Sequence, residues 1–233
     1  RKNFKQLLKF APSWINLTVM DKPIYIIAKP QSGKKVSHFW GSPLLPPGYP
    51  YPEYTDSDGD RWPYNFICQI NLADIAPFDT DGKLPHEGLL LFFTKIDRYL
   101  GDFEAADCIS GYISDAEDVK VLYFPDCNGF EEILLTDIDG TPLSPHGLPV
   151  IFSEKPEGKY CDEHMLFAPP THREWENWDP PFEDWPILLQ IDSFNGKDFN
   201  LNFMDCGVLD FLISPEDLAA RRFDNVRAIV LST

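Results

Sequence analysis

Two stretches of this chain carry nearly the same pattern. One is Phe66-Ile67-Cys68-Gln69-Ile70-Asn71 followed by Gly88-Leu89-Leu90-Leu91-Phe92-Phe93; the other is Leu188-Leu189-Gln190-Ile191-Asp192 followed by Gly207-Val208-Leu209-Asp210-Phe211-Leu212-Ile213. Each is an apolar strand interrupted by a glutamine, then a polar connection, then a glycine that opens a second apolar strand. A plan used twice in one chain predicts a duplicated sheet. The 22 prolines among 233 residues point the same way, because proline lacks the donor needed inside helices and central strands. The expected fold is α+β: mainly antiparallel β with a few short helices, internal duplication of a glutamine-bearing strand pair, and long proline-rich loops. The expected organisation is a single domain over 1–233 built from two related halves, about 1–125 and 126–233.

The rest of the chain fits around these strands. Phe4, Leu7 and Leu8 at helical spacing predict a short N-terminal helix closed by Pro12. Residues 14–20, 24–28 and 34–40 read as strands. Residues 41–63 hold a proline-rich ribbon and then the acidic Asp56-Ser57-Asp58-Gly59-Asp60. Such a ribbon loses little entropy when it lies over a sheet. Asn71 caps a short helix that ends near Pro77. Residues 120–124, 133–136 and 148–152 are middle strands, with turn chemistry at Asp137-Ile138-Asp139-Gly140. A second proline-rich section, 168–186, leads into the second glutamine strand. Ser214-Pro215-Glu216-Asp217 opens a helix expected over 215–222.

These segments in this order resemble the YwqG-like family of bacterial proteins. The matching residues are Gly41-Ser42-Pro43-Leu44-Leu45-Pro46, Tyr51-Pro52, Phe66-Ile67-Cys68-Gln69-Ile70-Asn71-Leu72, Leu84-Pro85-His86-Glu87-Gly88, Leu188-Leu189-Gln190-Ile191-Asp192-Ser193 and Asp205-Cys206-Gly207-Val208-Leu209. The resemblance covers the chain from about Phe39 onward. It implies an α+β fold and a soluble bacterial protein, with some relatives near toxin and immunity genes, and it implies no particular activity.

Charge narrows the classes of partner. With 20 basic and 37 acidic side chains the formal charge is −17, which repels phosphate backbones and anionic membranes and suits a basic partner protein. Nucleic acid and membrane are therefore not expected. The chain has no long apolar run, and its beginning leads into no signal-peptide core, so a cytoplasmic location is expected. The five cysteines include no Cys-x-x-Cys pair and read as reduced thiols.

Specific chemistry is scarce. His38, His86, His146, His164 and His172 form no metal-binding spacing, and Cys161-Asp162-Glu163-His164 stands without a second ligand cluster, so neither metal nor cofactor is expected. The acidic 56–60 segment has glycine in the wrong place for a calcium loop. There is no nucleophile elbow and no phosphate-binding loop, and no catalytic residue is assigned.

Two groups remain as candidate ligand or partner sites. Strand alternation puts Gln69 beside Asn71 and Gln190 beside Asp192, and a duplicated fold could aim both pairs into one polar pocket. The alternative is that each glutamine ties down backbone groups of the adjoining proline loop. Trp175, Trp178 and Trp185 stand among acids. They either line a cleft in which carboxylates bind or hydrolyse a sugar, or clamp the proline loop to the sheet. The expected function is a non-catalytic protein-interaction module, of which an immunity protein is one form; the alternative is a carbohydrate-binding protein or hydrolase.

Overall fold

The two glutamine-bearing stretches and their partners become strands of one sheet. A computed structural model describes residues 22–30, 33, 36–96, 108–157, 163–170, 178, 180–195, 200–203 and 206–232. The helix expected near Phe4, the strand expected over 14–20, Cys161, His172 and Trp175 lie outside them. The elements are β1 (Ile24–Ala28), β2 (His38–Phe39), β3 (Leu44–Leu45), β4 (Glu53–Thr55), β5 (Arg61–Pro63), β6 (Asn65–Asn71), α1 (Leu72–Ile75), β7 (Leu89–Thr94), β8 (Val119–Phe124) and β9 (Glu131–Glu132). They continue with β10 (Leu148–Ser153), β11 (Met165–Leu166), β12 (Ile187–Asp192), β13 (Phe194–Asn195), β14 (Asn200–Leu201), β15 (Val208–Leu212), α2 (Pro215–Ala219) and β16 (Arg227–Leu231). Among the described residues the fold is mainly antiparallel β with two short α-helices, and none of the described helices is long and apolar enough to cross a membrane.

Ten strands form the main sheet, in the order β16-β15-β12-β11-β1-β10-β2-β6-β7-β8. Read outward from the central β1–β10 pair, each side presents a two-residue strand, a glutamine strand, a glycine-led strand and an edge strand. Local details recur at matching places. The ladder is irregular between Phe66 and Cys68 on one side and between Ile187 and Leu189 on the other. Each bulge frees a carbonyl: Ile67 O accepts from Trp40 N at 2.9 Å, and Leu188 O accepts from Phe167 N at 3.2 Å. Trp40 and Phe167 reach those carbonyls with φ of 52° and 54°, a conformation that bulky residues rarely take.

The sheet curls nearly into a barrel. Side chains from both ends of the strand order meet inside it, and the rings of Phe92 on β7 and Phe211 on β15 are 5.2 Å apart. The edge of β16 is covered by the segment leading to β8: Val230 N donates to Ser110 O at 3.0 Å, and Ser114 N donates to Ala228 O at 2.8 Å. A covered edge cannot recruit a foreign strand.

Each outer face has its own cover. On the β6–β8 side Tyr49, Tyr51 and Tyr54 of the proline ribbon pack over Phe66, Leu91 and Phe93. On the β12–β16 side Trp178, Trp185 and Phe182 pack over Val208, Leu212 and Ile229. The ribbon is not purely extended: β4 and β5 pair as a hairpin, and β3 pairs with β9. Pairing with the ribbon also displaces the strand expected over 133–136. Its regular part is Glu131–Glu132, and Thr136 makes only an isolated bridge to Pro142. The helix starts agree with their caps, since Asn71 Oδ1 accepts from Ala73 N and Ser214 Oγ accepts from Asp217 N. The second helix stops at Ala219, before the predicted Arg222, because Arg221 turns to φ 54°.

Candidate functional site

The glutamines are the first candidates for a site, because each stands as a polar side chain inside an apolar strand. Gln69 is 0 % exposed; its Nε2 donates to Val36 O at 2.7 Å and its Oε1 accepts from Leu44 N at 2.9 Å. It joins the start of β3, in the ribbon, to the lead into β2. Gln190, equally buried, donates from Nε2 to Glu163 O at 2.8 Å, just before β11. The neighbouring pair members are also used locally. Asn71 caps α1, and Asp192 Oδ2 accepts from Glu163 N at 2.9 Å.

The two amides do not converge. Four strands separate β6 from β12, which at about 4.8 Å per spacing is about 24 Å along the sheet. Both side chains lie on the outer face, under the covers, because the interior belongs to their neighbours Cys68, Ile70, Leu189 and Ile191. A shared polar pocket would need exposed amides on facing walls, and this geometry supplies neither. The arrangement ties irregular backbone to the sheet, where unpaired carbonyls and amides would be costly.

The tryptophans fall the same way. Trp178 and Trp185 are buried against the sheet, with the Phe182 and Trp185 rings 4.9 Å apart. Glu183 and Asp184 are exposed beside them, while Trp175, Glu174, Glu176 and Asp179 lie outside the described residues. Buried indoles cannot form the aromatic floor of an open sugar groove. The acidic 56–60 segment is a turn: Asp56 Oδ1 accepts from Asp58 N and Asp60 N, and the Trp62 indole N–H, donating to Oδ2 at 2.7 Å, holds the Asp56 carboxyl below its usual range.

The structure opens a different place. A cleft of about 430 Å³ lies where β2 ends and the 132–149 segment begins its return, lined among others by His38, Ser42, Glu132, Leu134 and His146. Its base is a close crossing of two backbones. A Cβ on Gly41, whose φ is +77°, would stand 2.8 Å from the Gly147 Cα, so only glycine fits there. His38 Nδ1 lies 2.7 Å from Trp40 O. A carbonyl can only accept, so Nδ1 is the donor in this contact.

One wall of the cleft is a small hairpin, where the sequence predicts a strand over 133–136 and a turn at Asp137-Ile138-Asp139-Gly140. Asp137 N and Thr141 O close it at 2.8 Å, and Asp137 Oδ1 accepts from Asp139 N and Thr141 N. At its tip Ile138 is 100 % exposed, with Leu134 and Leu143 also exposed on its arms. The turn itself was the available signal, since an isoleucine placed inside Asp-x-Asp-Gly has nothing to pack against. Glu131, Glu132, Asp137 and Asp139 surround this apolar finger with negative charge. Among the described residues no group of three or more His, Cys, Asp or Glu could hold a metal ion.

A family model described as a domain of unknown function (DUF1963) matches residues 37–165 and 160–230. No curated protein matches the chain.

Proposed function

The chain belongs to the DUF1963 family of domains of unknown function, and from that premise we propose that it is a non-catalytic protein-interaction module whose contact element is the finger at 133–143 with its adjoining cleft. The observation that carries the reading is Ile138, a large aliphatic side chain left wholly in water at the tip of a hydrogen-bonded turn. A single exposed aliphatic residue is ordinary. Three on one small projection, with Leu134 and Leu143, beside a cleft, form a patch of the kind that marks a contact surface.

The partner is a basic protein. The formal charge of −17 steers such a partner toward the acidic rim, and the finger supplies the apolar anchor. An immunity role, with a basic toxin as partner, has this chemistry. The same reading takes the matching halves of the sheet as an internal duplication in a YwqG-like protein: a doubled scaffold that holds one elaborated connection, residues 125–147, proud of its surface.

The test compares the intact chain with Ile138→Asp as bait in extract of its native cell at low ionic strength. A basic protein retained by the wild type, released by salt and lost with Ile138→Asp is the expected result. Equal retention by both baits, or retention indifferent to salt, refutes the assignment. Because Ile138 touches no core, the variant should unfold at the same denaturant concentration as the wild type.

A further inference from the structure

β15 buries a carboxyl group without giving it a partner. Asp210 is 0 % exposed, and neither of its oxygens has a hydrogen-bond donor among the described residues. Directly opposite it in register is Gln190, whose Oε1 is likewise buried and likewise without a donor. Gln190 has already committed Nε2 to Glu163 O, so its amide cannot be turned over without losing that bond. On the other flank the register partner of Asp210 is Ile229, which offers nothing polar.

The charged groups nearby do not relieve it. Glu163 repels a second negative charge. Asp192, two residues along β12, is occupied with Glu163 N. Arg227, diagonal on β16, sets its guanidinium over the Phe182 ring at 6.0 Å; its Nε is buried without an acceptor among the described residues, yet it forms no ion pair with Asp210. Two buried acceptors that face each other are repulsive unless one carries a proton. A carboxyl can carry it, and an amide oxygen cannot.

The other half of the sheet supplies a comparison. There Gln69 Oε1 accepts a hydrogen bond from Leu44 N, and the residue opposite in register is Leu91. We propose that Asp210 is a neutral carboxylic acid in the folded protein at neutral pH and donates an O–H hydrogen bond to Gln190 Oε1, forming a proton-dependent latch beneath the Trp178 and Trp185 cover. The acid takes the place of the loop amide that serves Gln69. Burial, and then the Glu163 charge, lift the carboxyl well above its usual range, in keeping with this. When the acid ionises, the charge must draw water under Val208, Leu212 and the indoles, and the cover loosens.

The direct experiment is carboxyl-carbon NMR of the intact chain labelled at aspartate, with Asp210→Asn used to assign the Asp210 resonance. At pH 7 the Asp210 resonance should be that of a protonated acid, moving only when the pH is raised further together with the indole fluorescence. A resonance that titrates in the ordinary carboxylate range overturns the proposal, and this readout needs only the wild-type fold. Asp210→Asn keeps a donor for Gln190 Oε1 at every pH. Relative to wild type its folding equilibrium should improve at least tenfold between pH 4 and pH 8; an unchanged ratio across that range also overturns it. If Asp210→Asn does not fold, Asp210→Leu, copying Leu91, replaces it in both roles.

Discussion

Replacing Gln69 by leucine separates a tether from a ligand wall by magnitude. The substitution removes the donor to Val36 O and the acceptor for Leu44 N, leaving two backbone groups without their partners. A buried group so abandoned costs about 1–3 kcal/mol, so the pair amounts to about 2–6 kcal/mol. Leucine recovers part of this by adding apolar surface near Leu45 and Leu91, roughly 1–2 kcal/mol. Taking the middle of both ranges, the net loss is about 2.5 kcal/mol, out of a total stability of roughly 5–15 kcal/mol for a folded protein. Urea unfolding followed by tryptophan fluorescence measures it directly. With a slope of about 2–3 kcal/mol per molar, the midpoint should fall by roughly 1 M. Gln69→Glu should be no better, since it keeps an acceptor for Leu44 N but turns a carboxylate toward Val36 O. Because Gln69 anchors the ribbon, limited proteolysis within 46–60 should also quicken in Gln69→Leu before global unfolding does. An unfolding free energy within about 0.5 kcal/mol of wild type, the range of neutral surface changes, would refute the tether.

Two further outcomes follow from single positions. Gly207→Ala puts a Cβ 1.7 Å from Leu231 O, and Gly88→Ala puts one 2.2 Å from Phe124 O, at the matching ends of the two edge pairs. Each should lose about 3 kcal/mol or more from overpacking, whereas Gly129→Ala, with open space and only left-handed strain, should lose about 1–2 kcal/mol in the same urea assay. His164 is fully buried, accepts from Asp192 N at 3.0 Å through Nδ1, and has its pKa pushed down to about 3 by burial. Its unfolded form binds the extra proton below its usual value of 6.5, so stability is lost as pH falls through that value toward 3. From pH 7 to pH 5 this is about 2 kcal/mol, and His164→Asn, which keeps an acceptor for Asp192 N, should remove it. Asp210 acts with opposite sign over an overlapping range, so the quantity to measure is the difference between wild type and variant at each pH.

How much of this could be read beforehand depends on whether a feature was local. The glutamine and glycine strands, the caps at Asn71 and Ser214 and the turn at Asp137 are set by alternation, side-chain oxygens and backbone freedom, and each was visible in a few consecutive residues. The cleft was not, because its wall at 132–147 and its floor at Gly41 are brought together only by the β2–β10 pairing, across about a hundred residues of chain. The β4–β5 hairpin was hidden by the prolines that flank it. The destination of the glutamines could not be read either. Alternation puts Gln69 and Asn71 on a common face, but it does not say whether that face looks into the barrel or out beneath the ribbon. That depends on contacts distant in sequence, such as the meeting of Phe92 on β7 and Phe211 on β15 inside the sheet.

The places where the two sides of the sheet part company are as informative as those where they agree. Ser37 Oγ accepts from Asn71 N at 2.9 Å where His164 Nδ1 accepts from Asp192 N, and Ser37 also reaches Asp74 at 2.8 Å. Leu91 stands opposite Gln69 where Asp210 stands opposite Gln190. In both cases the β12–β16 side has put a titratable group where the β6–β8 side has a neutral one, and in both cases the group is wholly buried. Serine and leucine would carry no such linkage, whereas a buried imidazole loses stability as pH falls below 6.5 and a buried neutral carboxyl loses it as pH rises above 3.8. The two contributions offset each other between pH 3.8 and 6.5, so stability on this side is level there and falls off outside that window, while the side that carries the exposed finger has neither of these groups. Grafting Ser37 and Leu91 onto the other side, as His164→Ser with Asp210→Leu, should flatten the pH dependence of unfolding from both directions and leave the finger's contacts as they were.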